Sequence, residues 1–298
     1  MAYRGEYIAM NPLRFRLEKE RERLQINWNI IEQDYVLSWV LYGIAKQQAL
    51  RNNLVFKGGT ALKKCYFGNY RFSEDCDFSL LNSIPATELD ELVFESCKLA
   101  NMALNEAVGN SEIICTKYTE KQPHPEEQAA YTVFCKLPWH SRPFTRVMIE
   151  ITRNEPLLKP SVLLEVIHNY GEDLKMHLPC YSLEEILAEK LRAILQYSIK
   201  LHERGWSRSR ARDYYDIWSI VRKYRDSLEI TEIKPLLIQK CALKNITFSG
   251  IEDFFDSKVI EQVTETWGQW LGRLVVDLPS AQVILREVRE DIKMLLEG

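Results

Sequence analysis

Apolar residues between Trp28 and Leu50 recur at helical spacing, with Ile30, Ile31, Tyr35, Leu37, Val40, Leu41, Ile44 and Ala45 on one stripe. Leu54-Val55-Phe56 is a short apolar run that stops at Gly58-Gly59. The residues from Thr60 to Lys64 then read as the first turns of a helix, so the stretch predicts a strand, a tight turn and a helix start. Asp77 to Leu81 predicts a second strand, entered from a polar loop around Asn69 to Glu74. A long amphipathic helix follows from Thr87 to Val108, with Thr87 and Asp90 at capping-box spacing. Strands are expected at Ile113 to Tyr118, Tyr131 to Leu137 and Thr145 to Thr152, separated by proline-bearing loops at Gln122 to Glu126 and Pro138 to Pro143.

The pattern changes near Leu178. Ser182 and Glu185 form a second capping-box pair, opening a helix that runs to about Leu201. Further helices are expected at Ala211 to Arg225, Glu232 to Leu243, Lys258 to Leu274 and Ala281 to Leu296. The first 23 residues mix acids and bases and read as an arm or a solvated helix. The class is therefore α+β: a mixed half, residues 1–178, followed by a helical half, residues 179–298, with a cleft between them as the expected site.

Charge and cysteine usage narrow the chemistry. Lys and Arg number 39 against 42 Asp and Glu, a net of −3, which argues against coating nucleic acid by bulk charge but leaves room for a local basic site. No two of the seven cysteines lie closer than 11 residues, and the five histidines form no His-x-x-x-His pair, so a zinc site is not expected. The charged N-terminus lacks a signal-peptide core, and the longest nearly apolar run, Val36 to Ala45, is about half of the roughly 20 residues a membrane span needs. The expectation is a cytoplasmic protein with reduced thiols and no membrane partner.

The chemistry concentrates in FKGGTALKKCYFGNYRFSEDCDF, Phe56 to Phe78. Gly58-Gly59 at a strand-to-helix turn lets a ligand reach the backbone, and the helix start offers free N–H groups to an anion. Neither a Walker loop nor a Gly-x-Gly-x-x-Gly motif is present, so the pair reads either as a phosphate cradle or as a plain turn. Asp75 and Asp77, two apart on a strand, share a face and can converge on divalent cations. Glu150 sits with Met148 on one face of an otherwise apolar strand and is the candidate third carboxylate. Between the first two helices of the second half, Lys200, His202, Arg204, Arg208, Arg210 and Arg212 fall within thirteen residues, interrupted by one acid, Glu203. This focused patch suits a triphosphate or an RNA backbone; a solvated loop is the alternative. Trp267 and Trp270 are expected to pack between helices.

Together FKGGTAL, RFSEDCDF, AEKLRAIL (Ala188 to Leu195) and RARDYYDIW (Arg210 to Trp218) resemble the signature of the AbiEii/AbiGii-type nucleotidyltransferase toxin family, whose catalytic fold is similar to that of DNA polymerase β. The resemblance implies a nucleotidyltransferase domain with an N-terminal helical arm, and a helical domain completing the cleft. It implies transfer of a nucleoside monophosphate from an NTP to an acceptor, RNA and specifically tRNA being favoured, in a toxin–antitoxin or phage-defence system with a cognate antitoxin. Magnesium, or manganese in its place, would be held by Asp75, Asp77 and Glu150. Gly58, Gly59, Thr60, Ser73 and Lys190 would contact the triphosphate. Asp213 would orient Lys190 or the acceptor. Arg204, Arg208, Arg210 and Arg212 would contact RNA or phosphate, and Arg71 is either a phosphate contact or an exposed loop arginine. Rival readings are transfer to a protein or small molecule, and a non-catalytic nucleotide- or RNA-binding module.

Overall fold

A computed structural model describes residues 12–119, 128–205 and 207–297. Seven strands form one mixed sheet in the order β3-β4-β5-β2-β1-β7-β6. They are β1 (Leu54–Lys57), β2 (Asp75–Leu80), β3 (Glu112–Lys117), β4 (Gln128–Lys136), β5 (Thr145–Thr152), β6 (Val162–Glu165) and β7 (His177–Cys180). β2 runs antiparallel to β1 and parallel to β5, so the two strands carrying the candidate acids lie side by side at the centre.

One sheet face is covered by helices α1 (Pro12–Leu24), α2 (Trp28–Lys46) and α5 (Ala86–Val108). Strand alternation sends Leu54, Phe56, Cys76, Phe78, Ile149 and Ile151 into that core. The opposite face of β1, β2 and β5 carries Lys57, Asp75, Asp77 and Glu150. Over it lies the helical half: α6 (Leu183–Arg204), α7 (Ala211–Tyr224), α8 (Ile230–Ala242), α9 (Ser257–Leu271) and α10 (Ala281–Glu297), which bury a second core. The cores exchange residues. Val55 and Leu62 belong to the helical one, and Leu274, past α9, belongs to the sheet's. The backbone N–H of Phe72 donates to the Leu274 carbonyl at 3.0 Å.

Several local expectations are corrected. The helix predicted from Trp28 to Leu50 is broken at Gln47, whose side chain caps the short α3 (Gln48–Asn53) by accepting from the Ala49 N–H at 2.7 Å. α1 is docked rather than solvated, because Leu13 and Leu17 are buried in the sheet core. Thr87 is no cap: α5 starts at Ala86 after Pro85 without a side-chain cap, and Asp90 instead accepts from Lys117 and Tyr131, each at 2.7 Å. Ser182 does cap α6, but Glu185 spends its carboxylate on the N–H groups of Leu158 and Lys159 and on Lys240, not on the cap. β6 and β7 were not anticipated. The loop at Gln122 to Glu126 and the first eleven residues fall outside the described residues.

Candidate active site

β1 ends in Lys57 and the chain enters α4 (Gly58–Ala61), which continues as a π-helical turn to Phe67. Gly58 has φ +77°, and a Cβ there would lie 2.4 Å from Asp77 Oδ2; one on Gly59 would lie 2.5 Å from an Arg71 guanidinium nitrogen. Gly58 is therefore favoured by its left-handed backbone as well as by the close approach of Asp77, and Gly59 by the close approach of Arg71 alone. Thr60 is fully buried and its hydroxyl donates to the Asp75 carbonyl, so it braces the turn against β2 and does not line the cleft.

The cleft next to this turn encloses about 420 Å³, within the roughly 300–1,000 Å³ of small-molecule sites. Its floor is acidic. Asp77 stands directly beside Glu150 in the parallel β2–β5 register, and Asp75 lies two residues along the same face. Burial, then Glu150 and Asp75, push the Asp77 carboxyl up to about 7. Burial, then Glu150 and Glu74, push Asp75 up to about 6. Lys57, the partner of Asp77 in the antiparallel β1–β2 register, is committed to Glu155 and to Glu189 at 3.5 Å and so only partly offsets this repulsion.

The facing wall is basic and braced from behind. Lys190 is 8% exposed on α6, with Nζ 2.5 Å from Asp216 and 3.2 Å from Asp213. Arg71 is 4% exposed and forks onto Asp216, donating from Nη2 at 2.6 Å. Tyr70 adds its hydroxyl at 2.7 Å. Burial alone would raise the Asp216 carboxyl, but Arg71 and Lys190 overcome it and hold that carboxyl well below its usual range. Arg71 is thus neither exposed nor a free loop residue, and Lys190 is not a solvated helix residue.

Asp75, Asp77, Glu150, Gly58, Gly59, Ser73, Lys190, Asp213, Arg208, Arg210 and Arg212 all border this one cleft. Arg204 does not: it is exposed at the end of α6. Arg210 reaches Asp213 at 3.5 Å and Arg212 reaches Glu74 at 3.2 Å. Sequence reasoning missed Lys57, Glu189 and Trp270, which also border the cleft. Lys57 carried a usable signal, since a lysine closing an apolar strand beside Gly-Gly has its side chain on the strand's ligand-facing side. Trp270 did not pack wholly between helices as Trp267 does. Trp267 is buried, donating to the Pro279 carbonyl at 2.9 Å, whereas Trp270 is half-buried at the cleft.

The donor set suits a hard divalent cation: carboxylates crowded on one face, two of them with carboxyls pushed up by burial and then by their acidic neighbours. Among the described residues no group of three or more His, Cys, Asp or Glu side chains is placed to hold a metal ion, so Asp75, Asp77 and Glu150 do not converge as a three-carboxylate set. Magnesium sites built from one or two carboxylates, water and substrate phosphate need no such set. No described helix is long and apolar enough to cross a membrane.

No functionally curated protein matches the chain. Among solved structures it is similar to MenT4, a nucleotidyltransferase toxin from Mycobacterium tuberculosis H37Rv, with 21% identity, a TM-score of 0.62, and coverage of 96% of this chain and 90% of that one. This likeness shows a shared fold, with the mixed sheet and flanking helices anticipated from sequence. The family model "Nucleotidyl transferase AbiEii toxin, Type IV TA system" matches residues 39–296, spanning both the acidic floor and the basic wall. The chain belongs to this AbiEii family of nucleotidyltransferase toxins.

Proposed function

We propose that this toxin moves a nucleoside monophosphate from an NTP onto RNA, with tRNA the favoured acceptor, in a magnesium-dependent reaction that releases pyrophosphate. The reading is supported by a single arrangement: a carboxylate floor and a cationic wall face each other across one cleft of nucleotide size. Asp75 and Asp77, with Glu150 beside them, would hold Mg²⁺ or Mn²⁺. Bound there, the cations would neutralise the triphosphate and the charge developing on the departing pyrophosphate.

The chain's own groups divide the remaining work. Gly58 and Gly59 let the phosphates approach the backbone closely, and Ser73 beside them offers a hydroxyl. Lys190, held in place by Asp213 and Asp216, presents a fixed positive charge, so no reorganisation is needed as negative charge builds on the phosphates. Arg208, Arg210 and Arg212 supply the cationic border along which an RNA backbone would run. In this reading residues 1–178 form the transferase domain and residues 179–298 complete its cleft. NTP and tRNA as substrates imply action in the cytoplasm, restrained by the antitoxin that a type IV system provides.

The test is incubation with each labelled NTP, Mg²⁺ and either total RNA or total protein, followed by gel separation. Label on RNA that disappears in Asp77→Asn supports the proposal. Label confined to protein replaces the acceptor, and label on neither removes the reaction.

A further inference from the structure

Trp270 is contributed by α9, far in sequence from the acids and the glycine turn, yet its ring borders the same cleft. The other aromatic residue among the cleft's described lining, Tyr181, is fully buried with its hydroxyl 2.7 Å from Ser79 Oγ. Trp270 therefore offers the accessible aromatic surface of the site. Two guanidinium groups sit over it, Arg208 with its central carbon 4.9 Å from the ring centroid and Arg212 at 5.4 Å.

The two arginines are held differently. Arg212 is fixed: it donates to the Trp270 carbonyl at 3.4 Å and to Glu74 at 3.2 Å, and Glu74 is gripped in turn by Arg273. This ties the tryptophan to the residue just before Asp75. Arg208 is exposed and makes no ion pair among the described residues, so its stacking on the indole is the contact it has. A guanidinium lying on an aromatic face is the kind of group a planar base can replace or extend, and the indole is the strongest π-surface among side chains. Because Arg212 bridges Trp270 and Glu74, the indole is tied to the Asp75 end of the acidic floor.

We infer that Trp270 with Arg208 forms a nucleobase platform that sets the position of one substrate base relative to Asp75. The base comes either from the end of the RNA acceptor or from the incoming NTP. The inference rests on the nucleotidyltransfer reading above and adds a positioning subsite to it.

Binding and turnover are measured separately, so that the two can fail separately. Wild type, Trp270→Ala, Trp270→Phe and Arg208→Gln are titrated with a mixed-sequence single-stranded oligoribonucleotide and with each NTP in Mg²⁺, and thermal melting checks that each variant is folded. Trp270→Ala is expected to weaken one of the two ligand classes about tenfold or more, and Trp270→Phe to retain most of the affinity. Weakened RNA binding alone assigns the base to the acceptor; weakened NTP binding alone assigns it to the incoming nucleotide. Should Trp270→Ala not fold, Arg208→Gln, altered only at an exposed side chain, is expected to lose a few-fold for the same ligand. The platform is overturned if the folded variants bind both ligand classes within twofold of wild type, or if Trp270→Phe loses as much as Trp270→Ala. Tryptophan-dependent binding in a wild-type protein that transfers nothing to RNA would instead count against the reaction and leave the platform standing.

Discussion

Asp77, half-buried in the floor of the cleft, and Asp216, fully buried behind its basic wall, have carboxyls displaced in opposite directions. Asp216 has Arg71, Lys190 and Tyr70 on its two oxygens and is held ionised to low pH. Asp77 has Glu150 beside it, Asp75 on the same face, and a lysine already shared with two glutamates, so its carboxyl is pushed up to about 7. One aspartate completes a neutralised cluster that aims two cations at the cleft. The other carries charge the protein leaves unbalanced. The same residue type is thus set apart by the charges that surround it.

The sharpest break of this comparison is Asp77→Asn. Transfer is expected to fall by about 10³-fold or more, measured as labelled product with Mg²⁺ present. The same variant is expected to melt at a higher temperature than wild type at pH 8 in EDTA, because a repulsive charge has gone. Loss of both activity and stability would mean that Asp77 is structural like Asp216.

Asp216→Asn should do the opposite to the fold. Removing the carboxylate strands the buried Arg71 and Lys190, costing about 3–5 kcal/mol in denaturant unfolding. A loss under about 1 kcal/mol would show that the cluster is wet enough to re-pair.

The pH dependence of the metal-free protein follows from the raised pair. An aspartate whose pKa rises on folding stabilises the native state below its ordinary value of 3.8. That contribution is lost as pH climbs through the folded values of about 6 for Asp75 and about 7 for Asp77. Melting temperature in EDTA is therefore expected to decline between pH 5 and pH 8, and millimolar Mg²⁺ to flatten the decline. A flat profile without metal would deny that the acids are crowded.

The smallest effect separates the arginines. Arg208→Ala should lower the salt slope of RNA binding by somewhat less than one unit, the share of a single phosphate contact, while Arg204→Ala, outside the cleft, should leave it unchanged. Equal effects would mean that the whole loop tracks RNA.

The acidic floor was legible because a strand repeats every two residues: Asp75 and Asp77, or Met148 and Glu150, must share a face once the strand is granted. What local pattern could not supply was the register that sets Asp77 beside Glu150, since their strands are joined by an intervening helix and two other strands. β6 and β7 escaped because each has four residues and β7 contains Pro179, which weakens any strand reading. The break at Gln47 has neither glycine nor proline to announce it. Arg71 lay in a polar loop, and only the arrival of α7 over that loop makes it a buried partner of Asp216. Trp267 and Trp270, three apart on one helix, look equivalent in sequence, but the edge of the cleft passes between them.

The tie from Phe72 to Leu274 bears on when the toxin becomes active during its own synthesis. The loop that delivers Arg71, Ser73 and Asp75 is fastened by backbone and by the Arg273–Glu74 pair to a segment some two hundred residues downstream. A nascent chain on the ribosome has already made Asp75, Asp77 and the glycine turn while this fastening, Lys190 and Trp270 are still to come. In this reading catalytic competence arrives late in translation, and a chain terminated before residue 270 carries the acids and Lys190 without Trp270 or the fastening that holds the Arg71 loop.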